Sequence, residues 1–261
     1  MKLLIVIPTL GESACLAEAV ASALVLGPAW QVMLVGPSAR AADLRRAFPT
    51  CQVMTESGPG LYGAINDGLR AAGDEWSWCS YLNDDDTLSL AAGNIPTGQA
   101  DIIYGRVDYI DETGRKLGAF PVEPSVRRLP RLLAAGVPAL TPQGTLISRR
   151  AFDELGGFDA QLRFCGDFDF WLRAAQRALK FAHRPERVGT FRIRAGQLSA
   201  QRAAAAAELA GVCKKHGGGR PRFLLAAARL GFKLRHLPLI FERRRLTGYW
   251  RSRDLFGGRA P

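Results

Sequence analysis

Three consecutive carboxylates follow a short apolar segment in the first third of the chain. Asn83 precedes Asp84, Asp85 and Asp86, and the segment 76–82 before them is a predicted buried strand. Adjacent carboxylates repel one another, and a hard cation such as Mg2+ or Mn2+ relieves that repulsion while keeping coordination positions for water and phosphate oxygens. The run therefore indicates a cation and phosphate site. A solvated acidic turn that begins a helix is the alternative.

A second acidic segment opens a predicted helix later in the chain. Asp167 and Asp169 lie two residues apart, so they cannot share one helical face and we expect different roles for them. Capping is one interpretation of Asp167, because the helix dipole favours a carboxylate at an N-terminus. The other is a general base that takes a proton from an acceptor hydroxyl, with the apolar neighbours Phe168, Phe170 and Trp171 tuning its pKa.

A glycine-rich segment between the two acidic ones matches the GxGxxG pattern of dinucleotide-binding loops. It covers residues 58–63, and Asp84 lies about 20 residues beyond it. That loop normally follows the first strand of its unit, whereas two predicted strand-helix units precede it here and Pro59 stiffens the turn. NAD binding is therefore not favoured. The three histidines share no ligand spacing, which favours surface or packing positions for them.

The elements that must position these residues alternate between strands and helices. Predicted strands cover 2–7, 31–35, 51–55 and 76–82, and predicted helices cover 38–47, 61–72 and a segment capped by Ser13 that ends at Gly27. This alternation predicts an α/β fold with a doubly wound, mostly parallel sheet flanked by helices. Ligands bind such sheets at the carboxyl ends of the strands, where Asp84 to Asp86 fall.

The alternation gives way to a mixed pattern after residue 100. Segments 102–110 and 116–120 flank a turn over Asp111 to Gly114, which is typical of a hairpin and predicts a mixed sheet. Further predicted helices cover 125–135, 150–155 and 168–179, and further predicted strands cover 145–148 and 180–193.

The net charge of +11 is concentrated at the C-terminal end of the 261 residues. Residues 201–261 hold 14 Lys and Arg against 3 Asp and Glu, and the pattern predicts a basic helical extension broken at Gly217 to Gly219 and at Pro238. Such a segment indicates an anionic surface and not nucleic acid. We expect an amphipathic helix on an anionic membrane, with packing on the catalytic body or on a second subunit of a homodimer as the alternative.

Cysteine usage and hydropathy indicate where the protein acts. The five cysteines include no CxxC pair, and their odd number argues against a disulfide framework. No charge-free apolar run reaches the ~20 residues that a spanning helix needs. We therefore expect a cytoplasmic location, with the basic extension as a peripheral contact to the inner face of the cell membrane.

Four stretches, in this order, resemble glycosyltransferase family 2 over about residues 1–200. They are Ile5-Val6-Ile7-Pro8-Thr9, Gly60 to Leu69, Leu82 to Asp86, and Gly156 to Asp159 followed by Gly166 to Arg173. The resemblance implies a GT-A fold and a metal-dependent, inverting transfer from a UDP- or dTDP-sugar to the hydroxyl of a saccharide or lipid-linked acceptor. It also implies a role in bacterial cell-envelope polysaccharide or glycolipid synthesis.

The resemblance also implies a domain division and a role for individual residues. A catalytic domain covers 1–200, with nucleotide-sugar binding in about 1–90 and acceptor binding in about 91–200, and the extension covers 201–261. Asp167 takes the position of the catalytic base. The implied donor-binding residues are Pro8, Thr9, Glu12, Gly60, Tyr62, Asn66, Asn83 and Asp84; the acceptor-binding residues are Phe168 and Trp171; the metal ligands, for Mg2+ or Mn2+, are Asp85 and Asp86.

Some positions depart from the family pattern, and two other functions stay open. The family carries an aspartate after the second strand, where this chain has Gly36-Pro37, and Pro142 stands where the closest subgroup has histidine before Gln143. One alternative is a nucleotidyltransferase, although the segment 8–13 lacks the basic residue that its phosphate loop needs. The other is a non-catalytic adaptor that binds membranes through the basic extension.

Overall fold

The computed structural model describes residues 3–89, 100–194, 197–216, 221–251 and 254–255. The strands are β1 (Leu3–Pro8), β2 (Trp30–Gly36), β3 (Gln52–Thr55), β4 (Trp78–Tyr81), β5 (Thr87–Leu88), β6 (Ile102–Ile110), β7 (Lys116–Ala119), β8 (Leu146–Ser148) and β9 (Phe181–Arg192). The helices are α1 (Leu16–Leu24), α2 (Ala41–Ala47), α3 (Leu61–Ala71), α4 (Leu129–Ala134), α5 (Arg149–Leu155), α6 (Gly166–Gln176), α7 (Arg202–His216), α8 (Arg222–Arg235) and α9 (Leu237–Thr247).

The described strands form one mixed sheet in the order β3-β2-β1-β4-β8-β6-β9-β5, with β7 paired to β6. Strands β3, β2, β1 and β4 are parallel. Strand β8 runs antiparallel to both β4 and β6, and β6 pairs with β9 in parallel. The predicted α/β fold is confirmed, because a parallel half built from strand-helix units joins a mixed half that contains the predicted hairpin.

Strand β1 lies in the middle of the parallel half because its apolar residues serve both faces of the sheet. Ile5 and Ile7 belong to the core on the α1 side, whereas Leu4 and Val6 belong to the core that contains α3. A strand covered on both faces needs a continuous apolar run and not an alternating one. Each fully buried Leu or Ile stabilises the fold by roughly 1.5–3 kcal/mol.

Several element boundaries differ from the sequence predictions. Cys15, and not Ser13, is the N-cap of α1, and the Ser13 hydroxyl instead donates to a carbonyl in the acidic turn. Helix α4 begins at Leu129 with Pro130 in its first turn, which suits the fixed φ of proline. The two-residue strand β5 was not predicted, since two residues show no periodicity.

The basic extension docks on the rest of the molecule. Helix α7 packs on α6, α8 on α4, and α9 on β7. The break predicted at proline is confirmed, because α8 ends at Arg235 and Pro238 lies in the first turn of α9. The break predicted at 217–219 lies outside the described residues. Among the helices that the structure describes, none is both long and apolar enough to span a bilayer.

Candidate active site

The acidic turn follows β4 and is tied to the turn after β1, its parallel neighbour. The Thr9 hydroxyl donates to Asp84 Oδ2 at 2.6 Å, and the Ser13 hydroxyl donates to the Asp84 carbonyl at 3.0 Å. Burial, together with the adjacent charge of Asp85, raises the pKa of Asp84. Two of the implied donor-binding residues, Thr9 and Asp84, are therefore in direct contact at the carboxyl edge of the parallel strands.

Asp86 points into the protein. Its Oδ2 accepts hydrogen bonds from Asn83 at 2.9 Å and Gln143 at 2.6 Å, and its Oδ1 accepts the backbone N–H of Arg192 at 2.7 Å. Burial and then the charge of Asp85 raise the pKa of Asp86 to about 7. Because both carboxylate oxygens are engaged inside the fold, Asp86 connects three segments of chain, an arrangement that suits bracing better than the metal ligation implied by the resemblance.

Asp85 faces two arginines from the end of β9. Arg194 Nε donates to Asp85 Oδ2 at 2.5 Å, and Arg192 Nε donates to the Asp85 carbonyl at 2.8 Å. Arg192 also pairs with Glu18 of α1 at 2.6 Å. Neither arginine belongs to a motif that the sequence analysis singled out. The one local signal is their spacing at the end of a predicted strand, which places both on the same side of the extended chain.

The carboxylates of this turn suit a metal ion that takes few ligands from the protein. Within the described ranges, no group of three or more His, Cys, Asp and Glu side chains is arranged to hold a metal ion. Asp85 and Asp84 are adjacent carboxylates, and Asp85 already attracts a positive group, the guanidinium of Arg194. Mg2+ and Mn2+ fit such a pair, because water and substrate phosphates supply their other ligands.

The second carboxylate, Asp167, lies in the first turn of α6 against Tyr62 of α3. The Tyr62 hydroxyl and the Phe168 backbone N–H both donate to Asp167 Oδ1, at 3.1 Å and 2.8 Å. Burial raises the pKa of Asp167 to about 6 although both hydrogen bonds lower it. Gly166 permits this contact, since a Cβ there would lie 2.6 Å from the Tyr62 ring.

Glu208 of α7 holds the loop in front of Asp167. The backbone N–H groups of Arg163, Phe164 and Cys165 donate to its carboxylate at 2.8, 2.7 and 2.6 Å. After burial, which is the main cause, the charge of Glu208 also raises the pKa of Asp167. No sequence signal marks Glu208, because a glutamate in an alanine-rich helical segment carries no motif.

Tyr81 at the end of β4 connects the two acidic groups. Its ring meets that of Tyr62 edge to face, with centroids 6.5 Å apart. Burial raises the pKa of Tyr81 well above its usual value, and the charges of Asp167 and Asp86 raise it further. Tyr81 thus links the strand that leads into the acidic turn to Tyr62, the residue that donates to Asp167.

Asn66, an implied donor-binding residue, uses both polar atoms of its side chain in hydrogen bonds within the fold. Asn66 Nδ2 donates to the Phe158 carbonyl at 2.8 Å, and Asn66 Oδ1 accepts the Phe158 N–H at 2.9 Å. A Cβ at Gly157 would lie 2.7 Å from Asn66 Oδ1, so glycine is needed beside this clamp. Asn66 thus joins α3 to the loop after α5.

The two implied acceptor-binding aromatics are core residues. Trp171 is only 1% exposed, and Phe168 is buried in the same cluster. Their rings pack within the protein and present no open face to an acceptor. They support the first turn of α6, which carries Asp167.

The remaining implied donor-binding residues lie around the ends of β1 and β3. Pro8 is the buried last residue of β1, and Glu12 is exposed and pairs with Arg40 at 3.2 Å. Gly60 is the N-cap of α3 with φ 127°, a backbone conformation that favours glycine. A cavity of about 250 Å³ opens between α1 and α2 beside Glu12, lined in part by Gly11, Ser13, Arg40 and Phe48.

Comparisons with known proteins identify the family. Residues 4–156 match the model for Glycosyl transferase family 2, a span that contains the acidic turn and ends before Asp167. No curated protein sequence matches the chain significantly.

Two solved structures share the fold at low sequence identity. Residues 1–349 of S. aureus TarS, in complex with UDP-GlcNAc, superpose with a TM-score of 0.62 at 14% identity, covering 98% of this chain and 78% of that one. The mannosyltransferase PcManGT from Pyrobaculum calidifontis, in complex with GDP-Man and Mn2+, gives 0.61 at 14% identity, covering 98% and 77%. The chain described here is a member of glycosyl transferase family 2 with the GT-A fold.

Proposed function

We propose that the protein transfers a sugar from a nucleotide-sugar to an acceptor hydroxyl with inversion at the anomeric carbon. The observation that carries this proposal is Asp167, a carboxylate of raised pKa whose partner Tyr62 packs on Tyr81 at the end of β4, the strand that leads into the acidic turn. A base must be ionised at neutral pH and still bind a proton well, and a pKa near 6 meets both needs.

Asp167 supplies the base chemistry. Both hydrogen bonds described for its carboxylate fall on Oδ1, which orients the group and makes Oδ2 the atom that we expect to take the acceptor proton. The deprotonated oxygen then attacks the anomeric carbon in line with the departing diphosphate. Since this displacement forms no covalent enzyme intermediate, one positioned carboxylate is sufficient and the anomeric configuration inverts.

The acidic turn holds the diphosphate end of the donor. Asp85 and Asp84 are the residues that we expect to bind Mg2+ or Mn2+, and a divalent cation there would offset negative charge on the leaving group. Arg194 adds a protein cation beside the same carboxylate. Thr9 orients Asp84 from the neighbouring strand. Asp86, Gln143 and Asn83 maintain the shape of the turn from inside the protein.

We also propose the chemical class of the sugar donor and of the acceptor. The structures of TarS with UDP-GlcNAc and PcManGT with GDP-Man support a nucleotide-sugar as donor, and the family resemblance favours a UDP- or dTDP-sugar. A saccharide or lipid-linked acceptor in bacterial cell-envelope synthesis agrees with the same resemblance.

Thermal unfolding with a panel of nucleotide-sugars tests donor and metal binding. A ligand that binds only the native state raises Tm, so we expect one nucleotide-sugar to stabilise the protein with Mn2+ or Mg2+ and much less with EDTA. The stereochemistry is then read by NMR from the anomeric configuration of the product. Absence of stabilisation by any nucleotide-sugar, or retention of configuration, would contradict the proposal.

Assays of the released products and of the Asp85 and Asp167 variants distinguish the proposed function from the two alternatives. A nucleotidyltransferase would release pyrophosphate from a nucleoside triphosphate and a sugar phosphate, whereas the transferase releases a nucleoside diphosphate. A non-catalytic adaptor would lose nothing measurable when Asp85 or Asp167 is replaced. We expect nucleoside diphosphate release that depends on both residues.

A further inference from the structure

Helix α8 carries two apolar faces, of which one is used inside the protein. Phe232 is buried, and Leu225 and Ala228 pack against the same core. Polar contacts fix the helix on this side, because Arg229 donates to the Ala135 carbonyl at 2.7 Å and Arg235 pairs with the buried Glu123 at 2.9 Å. The orientation of α8 on the body is therefore well defined.

The other apolar face of α8 continues into α9 and is open to solvent. Phe223, Leu230, Leu234 and Phe241 are 70%, 58%, 55% and 57% exposed, and Leu237 lies between the last two in the series. Phe223, Leu230 and Leu234 are seven and four residues apart, which keeps them on one side of α8, and Leu237 and Phe241 are four apart on one side of α9. Leu234 and Leu237 line the same cleft, which joins the two sets. We call these five residues the apolar stripe. Trp250 extends the surface, with its ring edge to face against Phe241 at 5.6 Å.

Cationic side chains border the stripe. Lys233, Arg244, Arg245 and Arg251 are exposed beside it. Residues 221–251 hold eight Lys and Arg against one acidic residue, Glu242, which pairs with Lys116 of β7 at 2.9 Å. A cleft of about 660 Å³ next to the stripe is lined by Lys233, Leu234, Leu237, Ile240, Arg243, Trp250 and Arg251.

We propose that the apolar stripe and its bordering cations form a docking surface for an anionic lipid bilayer. Phenylalanine and leucine side chains enter the boundary between head groups and acyl chains, while the long basic side chains reach anionic head groups. A second copy of the chain is a poorer occupant, since two identical surfaces would bring their positive charges together. Because α8 packs on α4 and α4 on α6, this surface belongs to the body that carries Asp167.

The experiment is co-sedimentation of the full chain with vesicles, without donor or metal. We expect binding to vesicles of phosphatidylcholine with about 30% phosphatidylglycerol at low salt, weaker binding at high salt, and little binding to pure phosphatidylcholine. The variant Leu230→Ser/Leu234→Ser/Phe241→Ser should lose binding by at least about tenfold. Arg244→Gln/Arg245→Gln should also lose about tenfold, and more at low salt than at high salt.

The matched control is Leu24→Ser/Val25→Ser, which removes exposed apolar residues at the end of α1. It should bind like the unchanged protein, and circular dichroism with Tm should confirm that all variants remain folded. Full-length protein that stays in the supernatant with anionic vesicles at low salt would overturn the proposal. So would a folded stripe variant that still sediments, or a stripe variant whose only defect is loss of a dimer in size-exclusion chromatography. Vesicle binding is independent of sugar transfer, so this proposal and the proposed function can fail separately.

Discussion

Three adjacent carboxylates take different roles because their partners differ. Asp84 accepts from Thr9, Asp85 pairs with Arg194, and Asp86 accepts three donors inside the protein. The partners come from the turn after β1, from the end of β9, from the loop before β8 and, for Asn83, from the acidic turn itself. Neighbouring residues of one type thus have different surroundings, with Asp85 beside an arginine and Asp86 hydrogen-bonded inside the fold.

Asp85→Ala and Asp86→Ala form a matched pair that tests this difference. An ion pair with a partly exposed arginine stabilises by about 1 kcal/mol or less, so Asp85→Ala should keep its Tm within a few degrees while losing metal-dependent donor binding. Asp86→Ala leaves buried donors without an acceptor, at about 1–3 kcal/mol each, and should lower Tm markedly. Thermal unfolding with and without Mn2+ and donor separates the two. A stable Asp86→Ala protein that fails to bind Mn2+ would reverse the roles.

Asp167 should control the acid limb of the pH profile. Its pKa is raised to about 6 and its base form is the carboxylate, so kcat/KM should be constant above pH 7 and fall by about tenfold at pH 5. Asp167→Asn keeps the shape without the basicity, and its turnover should fall by roughly 10²-fold or more with donor affinity nearly unchanged. Loss of donor affinity with preserved turnover would make Asp167 a binding residue.

At the scale of elements, α7 and α3 set the environment of Asp167 from two sides. Glu208 of α7 binds three backbone N–H groups of the preceding loop, and Tyr62 of α3 donates directly to the carboxylate. The charge of Glu208 raises the pKa of Asp167, whereas the hydrogen bond from Tyr62 lowers it. The two residues therefore position the Asp167 carboxylate and influence its pKa in opposite directions.

Glu208→Gln and Tyr62→Phe should move the acid limb in opposite directions. Removing the charge of Glu208 lowers the pKa of Asp167, so activity should persist to lower pH, whereas removing the Tyr62 hydroxyl raises it and activity should be lost at higher pH. Profiles of kcat/KM against pH measure both shifts, and KM for the donor should change little. If the pH profiles of both variants match that of the unchanged protein, neither residue influences the pKa of Asp167.

At the scale of the whole molecule, the predicted boundary near residue 200 cuts through interactions of the site. Besides Glu208, α7 contributes the buried Val212, and His216 Nε2 lies 2.8 Å from Asp169 Oδ1. Asp169 also pairs with Arg173 at 2.6 Å, so it belongs to the support of α6. The first helix of the extension thus packs on the helix that carries Asp167, and we propose that it belongs with the catalytic domain.

Two truncations measure how far the catalytic body extends. A chain ended after His216 keeps Glu208 and Val212, whereas a chain ended after Ser199 loses both. Each should have a lower Tm than the full chain, because α8 contributes the buried Phe232. Only the shorter chain should also lose most turnover with a water-soluble acceptor. Similar turnover in both would place the functional boundary near residue 200 after all.

Local patterns in the sequence were sufficient to predict the order of the main strands and helices, the family and the positions of both acidic segments. Apolar runs such as 3–8 and turn glycines such as Gly60 act within a few residues, so a linear reading detects them. Only the tertiary structure decided that Asp86 is a brace, that Asn66 is a clamp and that Trp171 is buried. The tertiary structure also identified Glu208 and Arg194, whose partners are distant in sequence. Burial and long-range partners depend on which segments meet in the folded chain, and no local spacing encodes that.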